Sequence, residues 1–319
     1  MLKSKRALIP MGGALGLLAF VALAGCGGGS SVSGGTPTLF VSDGVSNRIV
    51  QIPDITQATW TPLGTLGSGV DQFNRPSGVF VDGSGKLLIA DTNNSRIVRV
   101  DSIGGANWTT YGALGSLPTQ LNLPRQAVET TSGKILIADT GNNRIVQIDD
   151  ITGANPVVFG TAGSGAGQFS VPTGIALDSA NHIYVLDSGN NRVVRIDDIT
   201  GTNLVTLGTG GIGVNQFATP MGIFVDGTGR IYVADTGNNR ITRFDNMSGA
   251  NWVALGILGD GPSTFSSPNG IFVDSVFRIY VTDPGNDRVI RTDDMSGRNW
   301  TVIIQSTDTN HFSQPLGID

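Results

Sequence analysis

Residues 138–146 read Ala138-Asp139-Thr140-Gly141-Asn142-Asn143-Arg144-Ile145-Val146, and variants of this phrase recur along the chain. The arginines that close them are Arg48, Arg96, Arg144, Arg192, Arg240 and Arg288, each 48 residues beyond the last. A period that constant marks a repeated supersecondary unit. Ile135-Leu136-Ile137-Ala138 reads as a strand, and Thr140-Gly141-Asn142-Asn143 carries turn chemistry, since Gly and Asn tolerate positive φ. Arg144-Ile145-Val146-Gln147-Ile148 reads as the returning strand. This hairpin sets Asp139 opposite Arg144, and a cross-strand pair of opposite charges contributes about 0.2–1 kcal/mol. The same reading makes structural pairs of Asp91 with Arg96, Asp187 with Arg192, Asp235 with Arg240, and Asp283 with Arg288.

Around the hairpin, a whole unit is clearest from Pro220 to Gly256. Gly222-Ile223-Phe224-Val225-Asp226 is a first strand, Ile231-Tyr232-Val233-Ala234-Asp235 a second, Arg240-Ile241-Thr242-Arg243-Phe244 a third and Trp252-Val253-Ala254-Leu255 a fourth. Four antiparallel strands in a unit of this length form the blade of a β-propeller. The apolar runs are continuous rather than alternating, as expected of strands covered on both faces. Trp60, Trp108, Trp252 and Trp300 share one register, with Pro156 and Leu204 in that place elsewhere, which predicts a shared packing role. Gly-rich loops join the units and end in a recurring aromatic and proline, as in Gln72-Phe73 before Pro76. The aromatic is expected to plug the gap between blades, and the proline to open the inner strand, where its missing donor does least harm. The chain ends at Pro315-Leu316-Gly317-Ile318-Asp319, a first strand without its successors, while residues 38–43 begin in mid-unit. Pairing these ends closes a ring of six blades and removes exposed edges. The fold is therefore expected to be all-β, a six-bladed propeller over residues 38–319.

The N-terminus has another origin. Met1 to Arg6 is basic, and Ala7 to Ala22 is apolar but short for a membrane span. Leu23-Ala24-Gly25-Cys26 follows and resembles the lipobox of bacterial lipoproteins. The resemblance implies a signal peptide over residues 1–25 and lipidation of Cys26, with anchoring to the cell envelope. Gly27 in place of Asp implies the outer membrane of a Gram-negative host. Residues 26–37 read as a Gly/Ser tether. Cys26 is the single cysteine, so the chain has no internal disulfide.

The formal net charge is −5, and loss of Lys3, Lys5 and Arg6 with a leader would make it more acidic. Nucleic-acid binding needs a basic footprint, and the sequence supplies none.

Gly-Gln-Phe followed by Pro-x-Gly-Ile and by Tyr-Val-x-Asp-x-Gly-Asn-Asn-Arg, from Gly167 to Val193 and again from Gln216 to Ile241, resembles the NHL-repeat family. The resemblance implies six-bladed propellers, some of them enzymes and some binding platforms. One unit departs, with Gln126 in place of the glycine and Thr130 in place of the aspartate, and its first strand is the least secure. Amidating lyases of this type hold a metal with several histidines. This chain has only His182 and His311, too few for a three-histidine zinc site. A lactonase-like propeller would bind calcium at the ring centre. Asp82, Asp178, Asp226 and Asp274 share a register at the end of the first strand and are the weak candidates for such a site. The competing reading has each aspartate bonding the backbone of its own turn. No Gly-x-Ser-x-Gly elbow and no phosphate loop is present, so no catalytic residue is assigned. The sequence reads as a non-enzymatic binding or scaffold lipoprotein that takes a protein, peptide or glycan on its loop face, without a cofactor. A hydrolase or lyase with a central divalent cation, calcium by resemblance, is the second reading.

Overall fold

The computed structural model describes residues 37–53, 55, 60–303 and 311–319. The leader, Cys26 and the tether up to residue 36 lie outside them. Six four-stranded antiparallel sheets are the blades of a propeller. Blade 2 shows the plan, with strands Pro76–Val81, Leu87–Asp91, Arg96–Val100 and Thr109–Tyr111 running from axis to rim. Blades 3 to 6 repeat it from Gln126, Pro172, Gly222 and Ile271. Blade 1 is composite. Leu39–Asp43, Arg48–Ile52 and Thr61–Leu63 form its outer part, and Pro315–Ile318 supplies the inner strand. Val41 faces Ile318 and Asp43 faces Pro315 across that seam, and Phe40 and Asp319 exchange two further backbone hydrogen bonds. The expected ring closure is present.

Burial explains the composition. The second strands Leu87–Asp91, Ile135–Asp139, Ile183–Asp187, Ile231–Asp235 and Ile279–Asp283 are buried at every residue, because a blade covers each face. Strands covered on both faces need no polar alternation. The loop aromatics Phe73, Phe169, Phe217, Phe265 and Phe312 are fully or nearly fully buried. Phe73 packs with Ile49 and Leu63 of blade 1 and Val79 and Val98 of blade 2, so it fills the seam between them. The tryptophans complete this packing: Trp60 lies against Phe312, Trp108 against Phe73, Trp252 against Phe217 and Trp300 against Phe265, with ring centroids 4.4, 5.2, 5.3 and 5.2 Å apart. The loops carry more order than their glycine content suggests. Thr65–Leu66 pairs in parallel with Gln72–Phe73, and two other loops repeat the pairing.

The inner strands crowd together at the axis, and this explains the recurring Pro-x-Gly. A Cβ on Gly222 would stand 2.0 Å from the carbonyl oxygen of Asn269 in the next blade, and one on Gly317 2.3 Å from that of Ser77. These glycines serve close approach rather than unusual dihedrals. The departing blade 3 nevertheless builds its first strand, Gln126–Glu129, in register with Ile135 to Ala138. Thr130 does the work of the missing aspartate, its Oγ1 accepting the Lys134 N–H at 3.0 Å.

Gly222→Ala should therefore destabilise the fold by about 1–3 kcal/mol, the cost of overpacking a tight site. Gly227→Ala, where a Cβ meets nothing within 4 Å, should change stability by less than about 0.5 kcal/mol. Urea denaturation of the two variants checks the contrast.

Candidate binding face and central channel

The recurring Asp…Arg pair does more than fix a hairpin register. Asp139 and Arg144 are cross-strand partners, joined by Arg144 Nε to Asp139 Oδ2 at 2.6 Å. The turn between them is a 3-10 turn, Thr140–Asn142, and the left-handed residue is Asn143 at φ 54°, not the glycine. Gly141 is there for close approach, since a Cβ would lie 2.8 Å from the Asn122 carbonyl oxygen. Asp139 Oδ1 accepts the Asn122 N–H at 2.7 Å, and Oδ2 accepts Asn142 Nδ2 at 2.8 Å. The guanidinium then reaches past the hairpin and donates to the carbonyls of Ser116, Leu117 and Gln120. Those residues belong to the loop that enters blade 3 from blade 2. Each hairpin thus clamps the loop leading into its own blade. Arg96, Arg192, Arg240 and Arg288 make the corresponding bonds to Ser68, Ser164, Ile212 and Asp260. Arg48 joins Asp43 in the same way in blade 1.

All six hairpin aspartates are fully buried. Burial pushes the Asp43, Asp91 and Asp139 carboxyls up from the ordinary carboxylate value, against the pull of their hydrogen bonds and arginines. Their donors are all N–H groups or hydroxyls of the same clamp, so no oxygen is left for a ligand.

The register of Asp82, Asp178, Asp226 and Asp274 lies at the far end of the first strands, away from the interblade loops. Asp226 Oδ1 accepts the Thr228 and Arg230 N–H groups and the Thr228 hydroxyl. Its Oδ2 accepts Arg230 Nε at 2.7 Å and the Tyr232 hydroxyl at 3.1 Å. Burial opposes ionisation of Asp226, but these bonds outweigh it and hold the carboxyl below its ordinary value. Asp274 repeats the set with Arg278 and Tyr280, and Asp82 bonds Ser84 and Arg99. In blade 4, His182 takes the arginine's place, with Nδ1 2.7 Å from Asp178. Burial and the Asp178 charge push the neighbouring Tyr184 hydroxyl up to about 12. These carboxylates spend their lone pairs on local donors and do not line the axial cavity. The set does not fit a calcium site, and no cluster of three or more His, Cys, Asp or Glu residues suited to a metal occurs among the described residues.

The hairpin amides and carboxylates of the loop face are engaged within the scaffold. Asn142 is spent on Asp139 and the Gly115 carbonyl, and Asn143 Oδ1 on the Val171 N–H of the following loop. The face presents apolar side chains instead. Leu66 is 66% exposed, Leu114 71%, Ile212 77% and Leu258 69%, all in interblade loops, with Val70, Leu117, Val214 and Ile257 beside them. A central cavity is lined by the first strands of all six blades. Its walls include Val79, Ile175, Ile223 and Ile271, together with Arg125, Gln126 and Asp319. Asp319 accepts the Val81 N–H, and burial pushes its carboxyl up to about 7.

The fold defines a class, the six-bladed β-propeller, and three stretches of the chain match the NHL repeat. The family model for the NHL repeat matches residues 73–99, 169–196 and 217–244. No curated protein matches the sequence significantly. Among solved structures, a streptogramin B lyase is similar at TM-score 0.60 and 17% identity, over 92% of this chain and 86% of that one. A catalytically inactive virginiamycin B lyase from Staphylococcus aureus with quinupristin is similar at 0.58 and 16%, over 93% and 89%. A chain of a nidogen/laminin complex is similar at 0.65 and 17%, over 88% and 97%. At such identities the likeness is one of fold.

Two substitutions separate the two aspartate series. Asp235→Asn should cost about 3–5 kcal/mol, because it removes the charge of a fully buried carboxylate and leaves part-buried Arg240 without its partner. Asp226→Asn should cost about 1–3 kcal/mol at neutral pH. Since the folded carboxyl is held below its unfolded value, its contribution is present above the unfolded value and lost as pH falls through the folded one. The gap between Asp226→Asn and wild type should thus close in acid, as urea denaturation across a pH series would record.

Proposed function

We propose that this protein is a non-enzymatic binding propeller that seats a protein partner on its interblade-loop face. The carrying observation is the distribution of exposed apolar residues. Leu66, Val70, Leu114, Leu117, Ile212, Val214, Ile257 and Leu258 all lie in the interblade loops, while the hairpin amides and carboxylates of the same face are tied up in the aspartate–arginine clamps. Two such side chains stand in each of four interblade loops on one face, and apolar surface gathered on one face marks protein interaction sites, whereas a glycan would call for free amides and carboxylates. A rigid ring also suits recognition, because loops clamped before binding lose little entropy on binding. The likeness to a chain of a protein–protein complex supports the same reading.

The lipobox-like Leu23-Ala24-Gly25-Cys26 supports export and lipid anchoring at Cys26, with the propeller held off the bacterial envelope by the tether. On this reading the partner is another envelope or extracellular protein, and the membrane is reached only through the anchor.

Ile212→Asp and Leu258→Asp should abolish capture of a partner by crosslinking on whole cells, with less than about 0.5 kcal/mol change in stability, since both side chains are solvent-facing. Capture that survives both substitutions would sink the proposal. So would one tightly held divalent ion per chain in elemental analysis of the purified protein, which would point to the enzyme reading instead.

A further inference from the structure

The residue before each blade-opening proline is in the left-handed region in all six blades: Arg75, Leu123, Val171, Thr219, Ser267 and Gln314, at φ 51°, 49°, 52°, 41°, 58° and 58°. All six are exposed. For a residue other than glycine this conformation is unfavourable, and for β-branched Val171 and Thr219 it is a genuine outlier. Glycine would relieve the cost at each place, yet a chain with 46 glycines uses none here. The hairpin clamps enforce the geometry: Asn47 Oδ1 holds the Arg75 N–H, and Asn143 Oδ1 holds that of Val171, each at 2.8 Å. The fold thus holds six side chains outward around the channel mouth at a conformational cost, the kind of strain that gathers where side chains are used.

The ring is not symmetric. Thr219, Ser267 and Gln314 make one half polar and uncharged. Arg75, Leu123 and Val171 make the other half cationic and apolar, with Leu123 and Val171 each 44% exposed. On this side blade 3 breaks the repeat. Arg125 stands where the other blades have Ser77, Thr173, Met221, Asn269 and Leu316, and Gln126 follows it in place of the glycine. Arg125 lines the cavity. No hydrogen bond or ion pair of its guanidinium occurs among the described residues, whereas every hairpin arginine has its aspartate. Burial and the neighbouring charge of Arg75 both push the Arg125 guanidinium down from its ordinary value. Asp319, deeper in the cavity, is engaged by Val81, and Glu129 by Arg99 at 3.0 Å. Arg75 Nη2 donates to the neutral Gln314 Oε1 at 3.3 Å, so two cations stand near one mouth of an acidic protein without a counter-charge, which is half of an ion pair.

We propose that this mouth is a carboxylate-binding subsite, in which Arg125, assisted by Arg75, takes an acidic side chain or C-terminal carboxylate of the protein partner, with Leu123 and Val171 packing the apolar residues beside it. A guanidinium matches a carboxylate with two parallel N–H···O bonds, and the half-buried setting strengthens them relative to open water. The inference rests on the loop-face reading for the source of the carboxylate, but the subsite can be tested without a partner.

The test follows the arginine Nε–Hε NMR signals of the purified protein, with Arg125 assigned by its loss in Arg125→Gln. Sodium acetate, inorganic phosphate and sodium chloride are titrated at matched ionic strength. The Arg125 signal should move saturably with acetate, while the hairpin arginines stay put. An unmoved Arg125, an equal response to chloride, or tighter binding of phosphate overturns the carboxylate subsite. The peptide acetyl-Leu-Glu-Leu-amide should bind about tenfold more tightly than acetate and than its Gln counterpart, as expected when apolar flanks are buried beside the charge. A Glu peptide no tighter than acetate overturns the protein source. Leu258→Asp, on the outer rim, should leave the acetate response intact. Loss of the loop-face reading therefore shows as partner capture insensitive to Leu258→Asp, and loss of the subsite as an absent acetate response.

Discussion

The structure depends on a buried carboxylate that organises donors from three places at once. In each complete blade, one aspartate at the end of the second strand accepts an arginine across the hairpin, an asparagine within the turn and a backbone N–H from the incoming loop. The arginine in turn holds that loop by its carbonyls. An interblade loop rich in glycine has a large entropy to lose and little side-chain burial to offset it. The clamp supplies the missing order through charge-assisted bonds shielded from water, where such bonds are strongest. It acts between blades as well as within them, so repetition of the phrase makes the whole ring rigid rather than merely registering six hairpins.

This arrangement has a consequence for the surface. Amides and carboxylates that look available in the sequence are spent on holding the scaffold. What remains outward is the side chains that the clamp does not use, namely the apolar tips of the loops and the residues before the prolines. The scaffold is nearly six-fold, and its exposed residues are not. Identity that varies on a constant backbone is how a propeller separates stability from recognition. The departure at Arg125 and Gln126 is the sharpest case, because a long cation occupies a place held elsewhere by small or uncharged residues.

The opposite end of the channel shows the same economy with a different outcome. Asp226 and its counterparts are local devices, each closing a turn and pairing with a cation and a tyrosine of its own blade. The register raised the thought of a metal because aligned carboxylates in successive repeats converge on an axis in the abstract. In the folded chain their oxygens face their own turns, and hydrogen bonds from Thr228, Arg230 and Tyr232 saturate them.

The chain's period, its strand lengths and the complementary ends at Leu39 and Ile318 determined the six-bladed ring without coordinates, because hydrophobic runs and turn residues are local signals that repetition amplifies. The Asp139–Arg144 pairing was legible for the same reason, as was the seam-filling role of Phe73. The reach of Arg144 into the preceding loop, the contact of Gly222 with Asn269 and the left-handed ring at Arg75 and Val171 were decided only by tertiary structure. Each depends on which backbone carbonyl or amide a neighbouring blade brings within hydrogen-bonding or van der Waals distance, and no spacing in the sequence encodes that distance. The same holds for Arg125. Its residue type is plain in the sequence, but that it forms no ion pair with any described carboxylate is a property of the closed ring.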